Sequence, residues 1–306
     1  MKTDLISVED TKDYILKLFS LAEKFKRNRK SRDILKNKTI ALIFEKPSLR
    51  TRVTFEVAVT QLGGNAIYLS KADILLGERE PIKDVARNLA LWVSGIVART
   101  YSHASIIELA KYSKIPVINA LSDLEHPCQA LADLFTIKEV KESFDTTLAF
   151  VGDGNNVCNS LILASSLLGV DIIVACPKGY EPNKEILERA KKYAKEKGSM
   201  VEITHDPTEA VKKAEFVYTD VWVSMGQENE REQRLKVFRD FQVNSRLLSY
   251  GHKPYVMHCL PARRGEEITD EVIESEKSLV LRQAENRLHV QKAILFYIFS
   301  HLQDKE

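Results

Sequence analysis

The chain reads as an α/β protein of two domains, each a central parallel sheet flanked by helices, with an active site in the interdomain cleft. Three observations carry this. Apolar runs of strand length alternate with helical stretches. The alternation occurs as two series, separated by a helical stretch from Pro127 to about Lys141. The length, 306 residues, suits two domains of about 150 each.

The first element is predicted to be a helix. Ser7 with Asp10 three residues on forms a capping-box-like start, and Tyr14, Leu18, Leu21 and Phe25 recur at helical spacing. The basic run Lys24–Lys38 reads as a solvated helix end and loop. The first series has predicted strands at Thr39–Phe44, Ala66–Leu69, Gly95–Arg99 and Pro116–Ala120. Helices at Thr51–Leu62, Ile82–Val93 and Ala104–Tyr112 separate them. The second series has strands at Thr147–Gly152, Asp171–Ala175, Val201–Thr204, Phe216–Thr219 and Tyr255–Cys259. Its helices are Asn156–Leu168, Asn183–Lys197, Thr208–Lys213 and about Glu230–Phe238. Alternation of this kind implies right-handed crossovers and parallel strands. The domains are expected at 1–135 and 136–287. A last helix, about Glu285–Leu302, is expected to pack back on the first domain over 288–306.

Composition excludes several classes. Forty-five basic residues against 43 acidic give a net charge of +2, which argues against a broad nucleic-acid-binding surface. With 12 glycines, a glycine cradle for phosphate is not expected; a helix end and side chains are. Four cysteines without a CxxC pair give neither a disulfide scaffold nor a zinc site. The N-terminus has no hydrophobic signal region and no apolar run reaches the length of a membrane span. A soluble cytoplasmic protein is expected.

The densest chemical signal is Phe44-Glu45-Lys46-Pro47-Ser48-Leu49-Arg50-Thr51-Arg52, which joins a predicted strand to a predicted helix. Ser48 is the expected N-cap, and a helix N-terminus beside arginines and hydroxyls is an anion site. Because residues two apart do not share a helix face, one of Arg50 and Arg52 is expected to be structural. Arg99 ends a strand, where charged residues of α/β folds meet ligands; a surface arginine is the alternative. His126-Pro127-Cys128-Gln129 opens a helix with Pro127 in its first turn. There His126 and Gln129 either face an oxyanion or serve the helix start.

Val151-Gly152-Asp153-Gly154-Asn155-Asn156 resembles a dinucleotide-binding turn only faintly. The third glycine is missing, and the next strand ends Ala175-Cys176-Pro177 without an acidic residue. Asn155 and Asn156 are candidates for a ligand carboxylate. Asp220, at a strand end, either holds a cationic amine or caps a turn. In His258-Cys259-Leu260-Pro261, neighbouring strand residues face opposite sides, so His258 is badly placed to act as base for Cys259. Cys259 is then a thiol or thiolate beside a substrate, or an inert core residue. Glu285-Asn286-Arg287 is read as the start of the last helix. A cation there opposes the helix dipole, which hints at another use for Arg287.

Together these segments resemble the aspartate/ornithine carbamoyltransferase superfamily, and within it the ornithine carbamoyltransferases, in order over nearly the whole chain. Ser48-Leu49-Arg50-Thr51-Arg52 is similar to the family's Ser-Thr-Arg-Thr-Arg motif, and Ala98-Arg99-Thr100-Tyr101 and His126-Pro127-Cys128-Gln129 to its other carbamoyl-phosphate segments. Asp220-Val221-Trp222-Val223-Ser224-Met225-Gly226-Gln227-Glu228 and His258-Cys259-Leu260-Pro261 resemble the ornithine-side motifs.

The resemblance implies the reaction of carbamoyl phosphate with L-ornithine to give L-citrulline and phosphate, in arginine metabolism. It implies that Ser48, Leu49, Arg50 and Thr51 grip the phosphate, while Arg99, His126, Gln129 and Arg287 surround the carbamoyl group. It implies that Asn156, Asp220, Ser224, Met225, Cys259 and Leu260 bind ornithine. It implies Arg99, His126, Cys259 and Arg287 as the catalytic set, with neither a metal nor an organic cofactor needed. A homotrimer or a multiple of trimers is implied, as is binding of carbamoyl phosphate before ornithine, with closure around Ser224-Met225-Gly226. Two positions depart from the pattern: Leu49 replaces the usual threonine, and Leu75 stands where His or Gln commonly reaches a neighbouring subunit's site. The runner-up is a carbamoyltransferase for another amine, such as putrescine.

Overall fold

A computed structural model describes residues 2–28, 33–224 and 226–303. The chain divides into two compact units, Met1–Ala132 with Glu285–Glu306, and Asp133–Ala284.

In the first unit a helix α1 (Ile15–Arg27) precedes β1 (Thr39–Phe44), α2 (Arg50–Gln61), β2 (Asn65–Ser70) and α3 (Lys71–Ile74). Then come α4 (Ile82–Trp92), β3 (Gly95–Arg99), α5 (His103–Tyr112), β4 (Val117–Leu121) and α6 (Pro127–Lys141). The four strands form a parallel sheet in the order β2-β1-β3-β4. Strands β1, β3 and β4 are almost wholly buried, as expected of parallel strands covered on both faces. Ala41, Ile43, Ile96, Ala98 and Val117 pack with Val85, Ala86 and Leu89 of α4 and Ile106 and Leu109 of α5.

The second unit contains β5 (Thr147–Val151), α7 (Asn156–Leu168), β6 (Asp171–Ala175), α8 (Lys184–Lys197), β7 (Val201–Thr204), α9 (Pro207–Lys213) and β8 (Phe216–Thr219). It continues with α10 (Arg231–Val237), α11 (Ser245–Leu248), β9 (Tyr255–His258), α12 (Asp270–Ile273) and the long α13 (Val280–Gln303). Its five parallel strands are ordered β7-β6-β5-β8-β9. The division between units falls within α6 and within α13. Helix α7 is buried from Val157 to Leu167, so no polar outer face is needed, and its few polar residues, Asn159, Ser160, Ser165 and Ser166, are buried with the rest.

Both sheets reverse their strand order at one place, between β1 and β3 in the first and between β5 and β8 in the second. Ligands of open α/β sheets gather at the carboxyl ends of strands beside such a reversal. The chemically dense segments follow β1, β3, β5, β8 and β9.

Four expectations need correction. Ser7 does cap with Asp10, but it caps a separate 3-10 turn, Val8–Thr11, and α1 starts only at Ile15. The N-cap of α2 is Leu49, in helical conformation and without a side-chain cap bond; Ser48 lies outside the helix. Helix α13 starts at Val280 rather than Glu285. Arg287 therefore sits two turns inside it, and no dipole conflict arises. Its first residues, Leu279-Val280-Leu281, resemble a short strand, which conceals the helix start. Finally, the basic run is not uniformly solvated. Lys26 Nζ donates to Asn286 Oδ1 at 2.7 Å and lies 3.2 Å from Glu285. Residues 29–32 of that run lie outside the described residues.

Candidate active site

In the first unit, the turn after β1 delivers the start of α2. The N-cap residue Leu49 makes no side-chain cap bond, and a helix N-terminus is a place where backbone N–H groups can meet an anion. Thr51 is buried, whereas Leu49 is 71 % exposed. The two arginines differ. Arg52 Nε donates to Glu56 at 3.0 Å, and its guanidinium lies 3.5 Å from the centre of the Tyr68 ring. Arg52 is thus the structural member of the pair, and Arg50 occupies the first turn of the helix.

Arg99 ends β3 buried, and its carbonyl accepts from Glu45 N–H at 2.9 Å, which fixes the start of the β1 turn. The register of β3 against β4 shifts between Ala98 and Arg99, a bulge that re-aims the strand end. The turn from β4 to α6 is held by Glu125. Glu125 N–H donates to Ser122 Oγ at 3.2 Å, Ser122 N–H donates to the Glu125 carbonyl at 2.9 Å, and Val8 N–H donates to the Glu125 carboxylate at 3.1 Å. His126 follows, buried. Burial first, and then the charges of Arg287 and Arg99, push its imidazole well below the ordinary 6.5. His126 is therefore a neutral imidazole at neutral pH.

Arg287 Nη2 donates to Thr51 Oγ1 at 2.7 Å, and Nη1 donates to Gln129 Oε1. Three segments far apart in the chain, those of Thr51, Gln129 and Arg287, thus meet directly. Arg99 joins them through its effect on His126. Leu75, in left-handed conformation (φ 43°), ends α3.

In the second unit the three strand ends converge on Asp220. Asn155 Nδ2 donates to Asp220 Oδ2 at 2.8 Å, and the Cys259 thiol donates to Oδ1 at 3.0 Å. Asn155 is also the N-cap of α7, accepting from Val157 and Cys158 N–H. It is thereby spent on structure, and Asn156 remains the candidate for a ligand carboxylate. Gly154 explains the resemblance to a dinucleotide turn. A Cβ there would lie 2.3 Å from the backbone nitrogen of Pro182, so the glycine serves close chain packing.

Burial, then the Asp220 charge and its hydrogen bond, push the Cys259 thiol well above its ordinary range. Cys259 is a protonated donor, and the thiolate alternative falls away. Leu260 sits in left-handed conformation, φ 58°, which costs a leucine about 1–2 kcal/mol. Its N–H donates to His258 Nδ1 at 2.8 Å. Nδ1 is then an acceptor, so Nε2 carries the proton and donates to the buried Glu267 carboxylate at 3.0 Å. His258 shapes the turn that presents Cys259 rather than acting as its base. Donor atoms of Asp220, His258 and Cys259 lie within 4.8 Å of one another. Both histidine nitrogens and the thiol are already engaged, so this is not an open ligand set.

Trp222, buried, stacks on Phe238 at 5.8 Å. Ser224 N–H donates to Gln227 Oε1 at 3.1 Å. Met225 lies outside the described residues. Sequence reasoning missed Asp153, Arg234 and Glu267. Arg234 Nη1 reaches Asp153 at 3.1 Å and the Trp222 carbonyl at 3.0 Å, and its Nε reaches Glu230 at 2.8 Å. Burial pushes the Asp153 carboxyl up to about 6, with Arg234 pulling it back down. Only the i,i+4 spacing of Glu230 and Arg234 was visible in the sequence. Among the described residues, no helix is long and apolar enough to cross a membrane.

Comparison with known proteins bears on both units. The family described as "Aspartate/ornithine carbamoyltransferase, carbamoyl-P binding domain" matches residues 3–139, and its "Asp/Orn binding domain" matches residues 145–298. The chain is 54 % identical over 297 residues to an ornithine carbamoyltransferase of Archaeoglobus fulgidus, covering 95 % of each chain. It is 53 % identical to one of Methanothermobacter thermautotrophicus, covering 97 % of this chain and 99 % of that one. The solved structure of an ornithine carbamoyltransferase from Pyrococcus furiosus superimposes with TM-score 0.92 at 50 % identity, covering 96 % of each chain.

Proposed function

Given that the chain belongs to the aspartate/ornithine carbamoyltransferase family, we propose that it transfers the carbamoyl group of carbamoyl phosphate to L-ornithine, releasing L-citrulline and phosphate. The observation that carries this reading is full-length identity above 50 % to ornithine carbamoyltransferases. It coincides with two half-sites of matching chemistry. One joins Thr51, Gln129 and Arg287 beside the start of α2. The other is a carboxylate–thiol pair at Asp220 and Cys259.

Carbamoyl phosphate binds the first unit. The N–H groups that open α2, with Ser48, Leu49, Arg50 and Thr51, take the phosphate oxygens. Arg99, His126, Gln129 and Arg287 polarise the carbamoyl carbonyl and stabilise the oxyanion of the tetrahedral intermediate. A neutral His126 donates a hydrogen bond there without surrendering a proton. Ornithine binds the second unit through Asn156, Asp220, Ser224, Met225, Cys259 and Leu260. Its uncharged side-chain amine attacks the carbamoyl carbon, the C–N bond forms, and the C–O bond to phosphate breaks. The phosphate leaves with that electron pair and takes up the proton that the amine releases. Positioning and electrostatics supply the acceleration.

The protein works in arginine metabolism, in the cytoplasm, as a homotrimer or a multiple of trimers. Exposed Leu49, Val53 and Ile67 in the first unit support assembly through that unit. A solution mass equal to one chain contradicts it. The reaction is tested by mixing the protein with carbamoyl phosphate and L-ornithine. Ureido product and phosphate should appear in equal amounts, and absence of the ureido product contradicts the proposal.

A further inference from the structure

Resting on that reading, we propose that Arg234 is a positioning residue for ornithine, clamping both ends of the loop that carries Ser224 to the turn after β5. Its guanidinium makes three contacts from one buried place. It donates to the Trp222 carbonyl at 3.0 Å, where the loop begins, and to the Glu230 carboxylate at 2.8 Å, where it ends. The third, at 3.1 Å, is to Asp153 in the turn that leads to Asn155 and Asn156. The guanidinium also lies 5.0 Å from the centre of the Tyr180 ring, which holds its plane.

Between the clamped ends, described residues of the loop brace one another. Ser224 N–H bonds to Gln227 Oε1, and Gly226 N–H bonds to both Glu228 carboxylate oxygens. The clamp therefore sets where this self-braced loop stands relative to Asn156. Lysine's three donors radiate from one nitrogen and do not reproduce the span and planar fork of the guanidinium. Glu230 has a side chain 55 % exposed, so its loss releases only the far end of the loop and leaves the buried Asp153–Arg234 pair intact.

The test is steady-state kinetics of wild type, Arg234→Met, Arg234→Lys and Glu230→Gln with both substrates, alongside thermal melting. The expected result is a rise in ornithine KM of about tenfold for Arg234→Met, less for Arg234→Lys and about twofold to threefold for Glu230→Gln, with the KM for carbamoyl phosphate unchanged. Glu230→Gln should melt like wild type. If Arg234→Met does not fold, the other two variants decide by the same criterion. Ornithine KM unchanged in the folded variants, or both KM values rising together, overturns the assignment of Arg234 alone. A wild type that fails to carbamoylate ornithine overturns the functional reading, and this inference with it.

Discussion

Arg287 donates to Thr51 across 2.7 Å, although the two residues lie 236 positions apart. The same guanidinium donates to Gln129. One side chain of α13 thus joins α2 to the segment that follows His126. Arg287→Lys keeps the charge but loses the forked geometry. The expected outcome is carbamoyl phosphate binding weaker by at least about tenfold, the scale of one charged hydrogen bond. Titration calorimetry with carbamoyl phosphate checks this.

Arg50 and Arg52 should part company. Arg50→Ala is expected to weaken carbamoyl phosphate binding by more than about tenfold. Arg52→Ala removes an exposed pair with Glu56 and a contact with Tyr68, and should lower stability only slightly while leaving the dissociation constant unchanged. Equal effects on binding would contradict the division.

Cys259 should be a sluggish nucleophile. Burial and the Asp220 carboxylate hold its thiol well above the ordinary range, so iodoacetamide at pH 8 should label it slowly. Asp220→Asn removes the charge and should accelerate labelling, read by mass spectrometry of the Cys259 peptide. Cys259→Ser should chiefly impair ornithine use, seen as a higher ornithine KM.

His126 sets a pH dependence of stability. Its folded value is pushed well below the 6.5 of an ordinary imidazole. Below about pH 6.5 the unfolded chain therefore binds a proton that the folded chain refuses, and stability falls as pH falls. Thermal melting from pH 7.5 to 5 should decline more steeply in wild type than in His126→Gln. Parallel slopes would show that His126 titrates normally.

Strands β1, β3, β6, β7 and β8 were legible to the residue; all but β7, which is only half-buried, are buried, largely apolar runs bounded by turn residues. The segments Ser48–Arg52, Arg99, His126–Gln129, Asp220–Ser224 and Cys259 were legible as strand-end chemistry. What the sequence withheld were the partners. Nothing local announces that Arg234 meets Asp153, that Glu267 orients His258, or that Asn155 is consumed by a cap and by Asp220. Helix starts also failed where no side chain marks them. Leu49 caps α2 without a hydrogen bond, and the apolar run at Leu279–Leu281 conceals the beginning of α13.

The identity of the acceptor is decided by parallel carbamoylation assays with L-ornithine, putrescine, acetylornithine and aspartate. L-Ornithine should be carbamoylated with the highest kcat/KM of the four. Faster turnover of putrescine, acetylornithine or aspartate would contradict it.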